Sequence, residues 1–228
     1  MSDQRASGVA SFVVFLVALP LYFGGTPAPL ADTARFTDYI TGINTAVLGR
    51  AALADPLIMA GLLVFLAGFR HLVRQARPKF EWLATLVFGV GVLVLALELV
   101  GDGLEAGAAL DTVAKAEPSV VRGLMEGSFP LYGSIGLILS ALLLASAGAA
   151  TLAARVLPRW AGWLAFATAL INLAVSPSIL FGTDYTAFWS ANGWVTFVAQ
   201  GSMVAWFLVA SILLLRWKET GHPSSTDQ

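Results

Sequence analysis

The sequence contains no cysteine and only two histidines, His71 and His222. Without cysteine there is no disulfide framework, thiolate nucleophile, zinc–thiolate site or iron–sulfur cluster. Haem ligation and membrane di-iron chemistry require several histidines at helical spacing, whereas here one lies in a basic loop and the other in a polar tail. We therefore expect no metal and no cofactor.

Charged residues are also scarce. Only 12% of the 228 residues are charged and 57% are hydrophobic, whereas about 25% of an ordinary soluble domain is charged. The apolar residues form long blocks rather than alternating patterns, which excludes a soluble globular enzyme, a disordered chain and a nucleic-acid binder. The expected surroundings are the lipid bilayer, with no nucleic-acid partner.

Six apolar segments have about the length of a membrane span. A spanning helix needs about 20 apolar residues, with a range of about 17 to 25, and its backbone must be helical throughout the hydrocarbon. The segments cover residues 8–23, 56–73, 82–101, 129–154, 161–182 and 193–215. The sequence therefore predicts an all-α polytopic membrane bundle with six transmembrane helices, forming a single integral membrane domain over residues 1–228.

The positions of the basic residues predict the orientation. Nine of the 13 lysines and arginines lie before the first span, in the last turn of the second, or in the segments that follow the second, fourth and sixth. Because short loops rich in lysine and arginine stay on the cytoplasmic side, both termini are predicted to be cytoplasmic. The polar tail at 219–228 then lies in the cytoplasm.

The first span has an alternative interpretation as a cleaved signal peptide. Arg5 precedes the apolar stretch 12–23, and small residues follow near Ala28 and Ala31, as in a secretory signal. Pro29, directly after Ala28, argues against cleavage there. Both interpretations remain open at this point.

Two segments outside the spans also have helical patterns. Between residues 32 and 54, apolar residues recur at helical spacing, which predicts a helix lying on the outer interface. A second helix is predicted between Leu104 and Leu124, broken at Pro118. The interpretation that we prefer is that both only cap the bundle.

Four acidic residues lie near the outer ends of the third and fourth spans: Glu98, Asp102, Glu105 and Glu126. The first three are spaced i, i+4, i+7 and share one face if the helix continues through Gly101 and Gly103. Crowded carboxyl groups in a partly dry site favour proton transfer or acid catalysis. The alternative is that the two glycines end the helix and leave Asp102 and Glu105 in solvent.

Other polar residues extend this candidate site. Arg50 and Asp55 precede the second span and either pair with each other or meet the carboxylates of the third. Asn172 and Ser176 are spaced i, i+4 on the fifth span, just before Pro177, whose ring frees the carbonyl group of Leu173. If the fifth and sixth spans face each other, we expect Asn172 and Gln200 to be hydrogen-bonded inside the bundle, mainly as a contact between helices.

One helical surface predicts close packing. Ala141, Ala145, Ala149 and Ala153 recur every four residues in the fourth span. Small residues at this spacing let a neighbouring helix approach closely. The pattern predicts a compact bundle and carries no information about activity.

The turn Leu-Pro-Arg-Trp-Ala-Gly-Trp-Leu at 157–164, the outer helix before the fourth span and the final span after an aromatic stretch suggest a family. In these features the chain resembles the uncharacterised multi-helix integral membrane proteins of actinobacteria that are grouped as a domain of unknown function. The resemblance covers residues 51–217. It implies a bacterial inner-membrane location and provides no activity, partner or catalytic residue.

The predicted function is a small integral membrane protein that binds a lipophilic or cationic ligand, or a membrane partner, in an outward-facing acidic pocket. The predicted ligand-binding residues are Glu98, Asp102, Glu105, Glu126, Arg50, Asn172 and Gln200. One alternative is a proton-coupled transporter. The other is an intramembrane acid-catalysing enzyme with Glu98 and Asp102 as candidate catalytic residues, which resembles small membrane-bound terpene cyclases in size, helical character and paired acids.

Overall fold

The computed structural model describes residues 32–114, 117–184 and 186–216, which form helices joined by short turns. The predicted first span at 8–23, its signal-peptide alternative and the polar tail at 219–228 lie outside the described residues. The α-helices, numbered in chain order, are α1 Thr33–Gly49, α2 Asp55–Ala76, α3 Glu81–Ala114, α4 Pro118–Pro130, α5 Gly136–Ala154, α6 Arg159–Val175 and α7 Trp194–Arg216.

Short π-helical and 3₁₀ segments connect or extend these α-helices. π-helical turns at Arg50–Ala54 and Leu131–Ile135 join α1 to α2 and α4 to α5, so that each pair forms one long helix. 3₁₀ turns lie at Pro78–Phe80 before α3 and at Ser176–Phe181 after α6.

The described residues contain five helices that are long and apolar enough to cross a membrane by length and composition: Thr33–Ala76, Pro78–Val113, Pro118–Ala154, Arg159–Phe181 and Trp194–Arg216. This all-helical arrangement is consistent with a membrane helix bundle. The second, third and fourth predicted spans lie entirely within one of these helices, and the fifth and sixth each extend one residue beyond a helix end.

Three of these helices are much longer than a bilayer requires. They contain 44, 36 and 37 residues, whereas the last two contain 23 each. At about 1.5 Å per residue the long helices each exceed about 50 Å, although the hydrocarbon is only about 30 Å thick. The helices Pro78–Val113 and Pro118–Ala154 follow each other along the chain and pack side by side. The turn before the first (after α2) and the turn after the second (after α5) therefore lie at the same end of the bundle. The extra length therefore projects from the opposite end.

The projecting part consists of α1, residues 103–114 of α3, and α4, and is called the extension below. It has a small apolar core, in which Phe36, Ile40, Ala108 and Val121 are buried. A separate and larger core fills the rest of the bundle. The boundary between the two cores is the level at which several acidic side chains meet.

Helix α3 continues through both glycines to Ala114, so the interpretation in which Gly101 and Gly103 end it is wrong. A glycine in a helix interior costs about 0.5–1 kcal/mol relative to alanine. At Gly101 the small residue is needed, because a Cβ there would lie 2.6 Å from Cζ of Tyr132. Packing between neighbouring helices thus overrides the local preference of glycine to end a helix.

The outer helix predicted within residues 32–54 is α1, but it does not lie along the interface as predicted. It continues through a π-helical turn into α2 and therefore lies within the same long helix as the span. The physical reason is that Phe36 and Ile40 are buried in the core of the extension. The break predicted at Pro118 is confirmed, since this residue begins α4 after α3 ends at Ala114.

Two glycines allow α5 and α6 to pack closely against each other. A Cβ on Gly148 would lie 2.9 Å from the carbonyl oxygen of Gly162, and one on Gly162 would lie 2.8 Å from Cγ of Leu152. Ala145 and Ala149, which the sequence pattern singles out, are only partly buried. Gly148 lies beside the predicted row of alanines on α5, about 20° around the helix from Ala141, which is buried.

We expect Gly148→Ala to lower the free energy of unfolding by about 1–3 kcal/mol, the usual range for overpacking a close-packed core. The added methyl group meets a backbone carbonyl, which has little freedom to move away. The measurement is reversible unfolding by sodium dodecyl sulfate in mixed micelles, followed by tryptophan fluorescence. The control is Gly89→Ala, where a Cβ has nothing within 4 Å; equal stability of the two variants would contradict the prediction.

Candidate functional site

Six polar side chains form the acidic cluster, which lies where the extension joins the rest of the bundle: Arg50, Asp55, Glu98, Asp102, Glu105 and Tyr132. The turns after α2 and α5, near Arg77 and Arg155, are called the basic turns below. Counted along the helices from these turns at about 1.5 Å per residue, Asp55, Asp102 and Tyr132 all lie about 32 Å away. This is close to the thickness of the hydrocarbon, about 30 Å. The cluster therefore lies at the level where the far edge of a bilayer would be.

Arg50 joins the first long helix to α3. Its Nη2 donates a hydrogen bond to Oε2 of Glu105, and its Nη1 lies 3.6 Å from Oδ2 of Asp55. The side chains of Glu105 and Asp55 are only 8% and 5% exposed, whereas that of Arg50 is 28% exposed. Ser128 of α4 has its hydroxyl 3.4 Å from the other oxygen of Glu105. One guanidinium group thus holds two buried carboxylates together.

Asp102 is anchored by a tyrosine from the third long helix. The hydroxyl of Tyr132 donates to Oδ1 of Asp102 at 2.7 Å. The side chains of Asp55 and Asp102 are within hydrogen-bonding range of each other. Both residues are almost fully buried, yet Oδ1 of Asp55 and Oδ2 of Asp102 receive no hydrogen bond from any donor among the described residues.

The cluster has an excess of acidic groups. Four carboxyl groups, those of Asp55, Glu98, Asp102 and Glu105, lie within electrostatic range of one another, and Arg50 is the cation that the described residues place among them. Ionised groups are expensive to bury unless they are paired. The arrangement therefore requires protons or an added cation to balance its charge.

Both π-helical turns contribute to the cluster, since one contains Arg50 and the other contains Tyr132. π-Helical turns within α-helices are rare and frequent at functional sites. The second turn depends on Gly136, where a Cβ would lie 2.2 Å from the carbonyl oxygen of Leu131. It also contains a sharp departure from helical geometry at Gly133, with φ −83° and ψ −113°.

Glu126 is not brought into the cluster. Its carboxylate accepts a hydrogen bond from Nε of Arg122 at 2.8 Å, one helical turn away on α4. Arg122 also donates to the hydroxyl of Thr33 at 2.9 Å and so links α4 to α1. In the structure Glu126 is part of the contacts that hold the extension together.

Asn172 and Gln200 are both hydrogen-bonded, but not to each other. Asn172 donates to the carbonyl oxygens of Thr168 and Ala199 at 2.9 and 3.2 Å, which connects α6 with α7. Gln200 donates to the carbonyl oxygen of Tyr132 at 3.2 Å. Because Gln200 is one residue beyond Ala199, it is rotated by about 100° around α7 and reaches the π-helical turn instead of α6.

The predicted ligand-binding residues included Arg50, Glu98, Asp102 and Glu105. They did not include Asp55, and the role of Tyr132 was missed. A tyrosine near a helix end is usually an interfacial anchor. The signal that was present is the segment from Pro130 to Gly136, which places one proline and two glycines inside an apolar helix. Such a composition marks an irregular helix, where backbone groups and side chains are redirected.

The comparisons with known proteins do not identify this site. No protein family model matches the chain, and no curated protein and no solved structure matches it either. The resemblance to actinobacterial membrane proteins of unknown function therefore stays a prediction. What the acidic cluster does has to be argued from its own chemistry.

Proposed function

We propose that this chain is a six-span protein of the bacterial inner membrane that binds a cationic ligand at the acidic cluster. The observation that carries the proposal is the pair of buried carboxyl oxygens without a donor, Oδ1 of Asp55 and Oδ2 of Asp102. Among the predicted kinds of ligand, a cation that carries hydrogen-bond donors meets both requirements of the site. It donates to these two acceptor oxygens, and it balances the excess negative charge.

The proposed orientation places both termini in the cytoplasm. The basic turns near Arg77 and Arg155 share one end of the bundle, which supports a single cytoplasmic face under the positive-inside rule. The acidic cluster then lies near the outer face. Its ligand would enter from the outside or along the outer leaflet of the bilayer.

Binding fits the charge distribution better than transport across the membrane. In the described part of the chain, residues 56–69, 82–97 and 133–154, which lie between the acidic cluster and the basic end of the bundle, include no charged side chain, and the core there is apolar. A proton-coupled transporter usually contains ionisable groups along its path within the bundle. The acidic cluster at one end is better suited to holding a ligand than to passing it through.

Acid catalysis is the second candidate, and the contact between Asp55 and Asp102 favours it. Two carboxyl groups that share a proton are able to donate it to an apolar substrate. Extraction of lipids from cells that express the wild type, Asp102→Asn or Asp55→Asn tests this candidate. A product that is present only with the wild type supports an enzyme, and identical lipid profiles exclude this role for the pair in those cells.

The test of cation binding is isothermal titration calorimetry with hexylammonium, using the full chain in lipid nanodiscs. We expect binding that is about tenfold or more weaker for Asp102→Asn, because a charge-assisted hydrogen bond contributes about 1.5–3 kcal/mol. Asparagine keeps an oxygen for the hydroxyl of Tyr132, so that the fold is preserved. Hexyltrimethylammonium, which has the charge but no N–H donor, should bind less tightly than hexylammonium.

The matched control is Asp38→Asn, the same substitution at an exposed position of α1. It should leave hexylammonium affinity unchanged, and empty nanodiscs correct for partition of the probe into lipid. Equal affinity of the wild type and Asp102→Asn would contradict the proposal. So would a wild type that binds neither probe.

A further inference from the structure

We infer that Asp55 and Asp102 hold one proton between them and that the cationic ligand displaces this proton when it binds. The inference rests on the proposed function and specifies how the same site is regulated. It is carried by the hydrogen-bonding range of the two side chains and by their two oxygens without a donor, both deep in the protein.

The other oxygens of this pair already have positively polarised partners. Oδ2 of Asp55 lies 3.6 Å from Nη1 of Arg50, and Oδ1 of Asp102 accepts the Tyr132 hydroxyl at 2.7 Å. Each aspartate is therefore oriented by a separate donor through one carboxyl oxygen, and its second oxygen has no donor among the described residues. Ionised carboxylates are acceptors only, so neither can satisfy the other unless one carries a proton.

The neighbouring groups do not supply that missing donor. On α3, Glu98 and Glu105 are acidic and make the surroundings more negative, and Arg50 already donates to Glu105. On α4, Ser128 lies by Glu105, while Arg122 and Glu126 pair with each other. From α7, the amide of Gln200 is directed to the carbonyl group of Tyr132. A proton on one of the two aspartates supplies a donor within the pair and lowers the negative charge of the acidic cluster.

Ligand binding then becomes an exchange of one cation for another. The O–H bond of the protonated aspartate breaks, its electron pair stays on the carboxylate, and the proton is transferred to water at the outer face. Both aspartates are now ionised, and the N–H groups of an ammonium ligand donate to the two oxygens. The net charge of the buried cluster is the same before and after, which avoids the cost of burying an additional charge.

The experiment measures how many protons are released when hexylammonium binds to the wild-type protein in nanodiscs at pH 7. Aliphatic amines titrate near about pH 10.4, so the probe itself stays protonated. Calorimetry in phosphate and in Tris, which have different enthalpies of ionisation, gives the number of protons from the difference in observed heat. We expect about one proton to be released for each probe molecule bound, because the two coupled aspartates hold one proton between them.

Asp55→Asn and Asp102→Asn each remove the shared acidic proton, and we expect weaker binding with little or no proton release from either. The control Asp38→Asn should release the same number of protons as the wild type. Tight binding by the wild type without proton release would overturn this inference and leave the proposed function in place. Absence of binding by the wild type would overturn both. If one aspartate variant does not fold, the other variant and the wild-type measurement decide the question.

Discussion

Arg50→Ala is expected to lower the free energy of unfolding by about 3 kcal/mol. Removing one partner of a buried ion pair typically costs about 3–5 kcal/mol, because the remaining charge is left without compensation. The lower end applies here, since the Arg50 side chain is 28% exposed while those of Glu105 and Asp55 are 8% and 5% exposed. Unfolding by sodium dodecyl sulfate in mixed micelles measures the change.

The control for this prediction is Arg35→Ala in the extension. Arg35 also contacts a carboxylate, Asp32 at 3.7 Å, but its side chain is 81% exposed. Exposed ion pairs contribute about 0–1 kcal/mol, so this variant should remain close to the wild type. We also expect Glu105→Gln to restore part of the stability lost in Arg50→Ala, as a double-mutant cycle would measure. Similar decreases in the free energy of unfolding for Arg35→Ala and Arg50→Ala would contradict the prediction that the buried ion pairs of Arg50 stabilise the fold.

Gly136→Ala is expected to affect both the fold and the site. Its added Cβ would lie 2.2 Å from the carbonyl oxygen of Leu131, a backbone atom of the π-helical turn. The turn must shift, and with it Tyr132, whose hydroxyl binds Asp102 and whose carbonyl oxygen binds Gln200. We expect a loss of stability of about 1–3 kcal/mol, as for other overpacked positions, together with weaker hexylammonium binding.

The matched substitution is Gly103→Ala, which lies near the same level on α3 but has nothing within 4 Å of an added Cβ. Replacing a helical glycine whose conformation suits alanine usually stabilises a protein by about 0.4–1 kcal/mol. Unfolding curves and hexylammonium titrations of both variants provide the comparison. If Gly136→Ala retains full stability and full affinity, the π-helical turn does not position Tyr132 in the way that we describe.

Several features of the site followed from local patterns. The spacing of Glu98, Asp102 and Glu105 predicted a shared face provided that α3 continued, and the structure shows that it does. Pro177 was expected to free the carbonyl group of Leu173, and the hydroxyl of Ser176 donates to this oxygen at 2.9 Å. Such features depend on helical periodicity or on the chemistry of one residue, both of which are visible in sequence.

Other features depended on contacts between distant parts of the chain. The pairing of Arg50 with Glu105 and the contact of Tyr132 with Asp102 join residues 55 and 30 positions apart. Gln200 donates to the carbonyl oxygen of Tyr132 because its side chain leaves α7 in that direction and because this carbonyl group lies in an irregular turn. No periodic pattern specifies which carbonyl oxygen an amide side chain will reach.

The sequence by itself determined that this protein is an all-helical chain with membrane-length apolar segments, because long runs of apolar residues with few charges require helices in hydrocarbon. It also determined which acidic residues share a face of α3. Only the tertiary structure decided that α1 lies in line with α2, that Glu126 stays outside the acidic cluster, and that Asp55 meets Asp102. These outcomes depend on how whole helices pack against one another, and that packing balances many weak contacts between residues far apart in the chain.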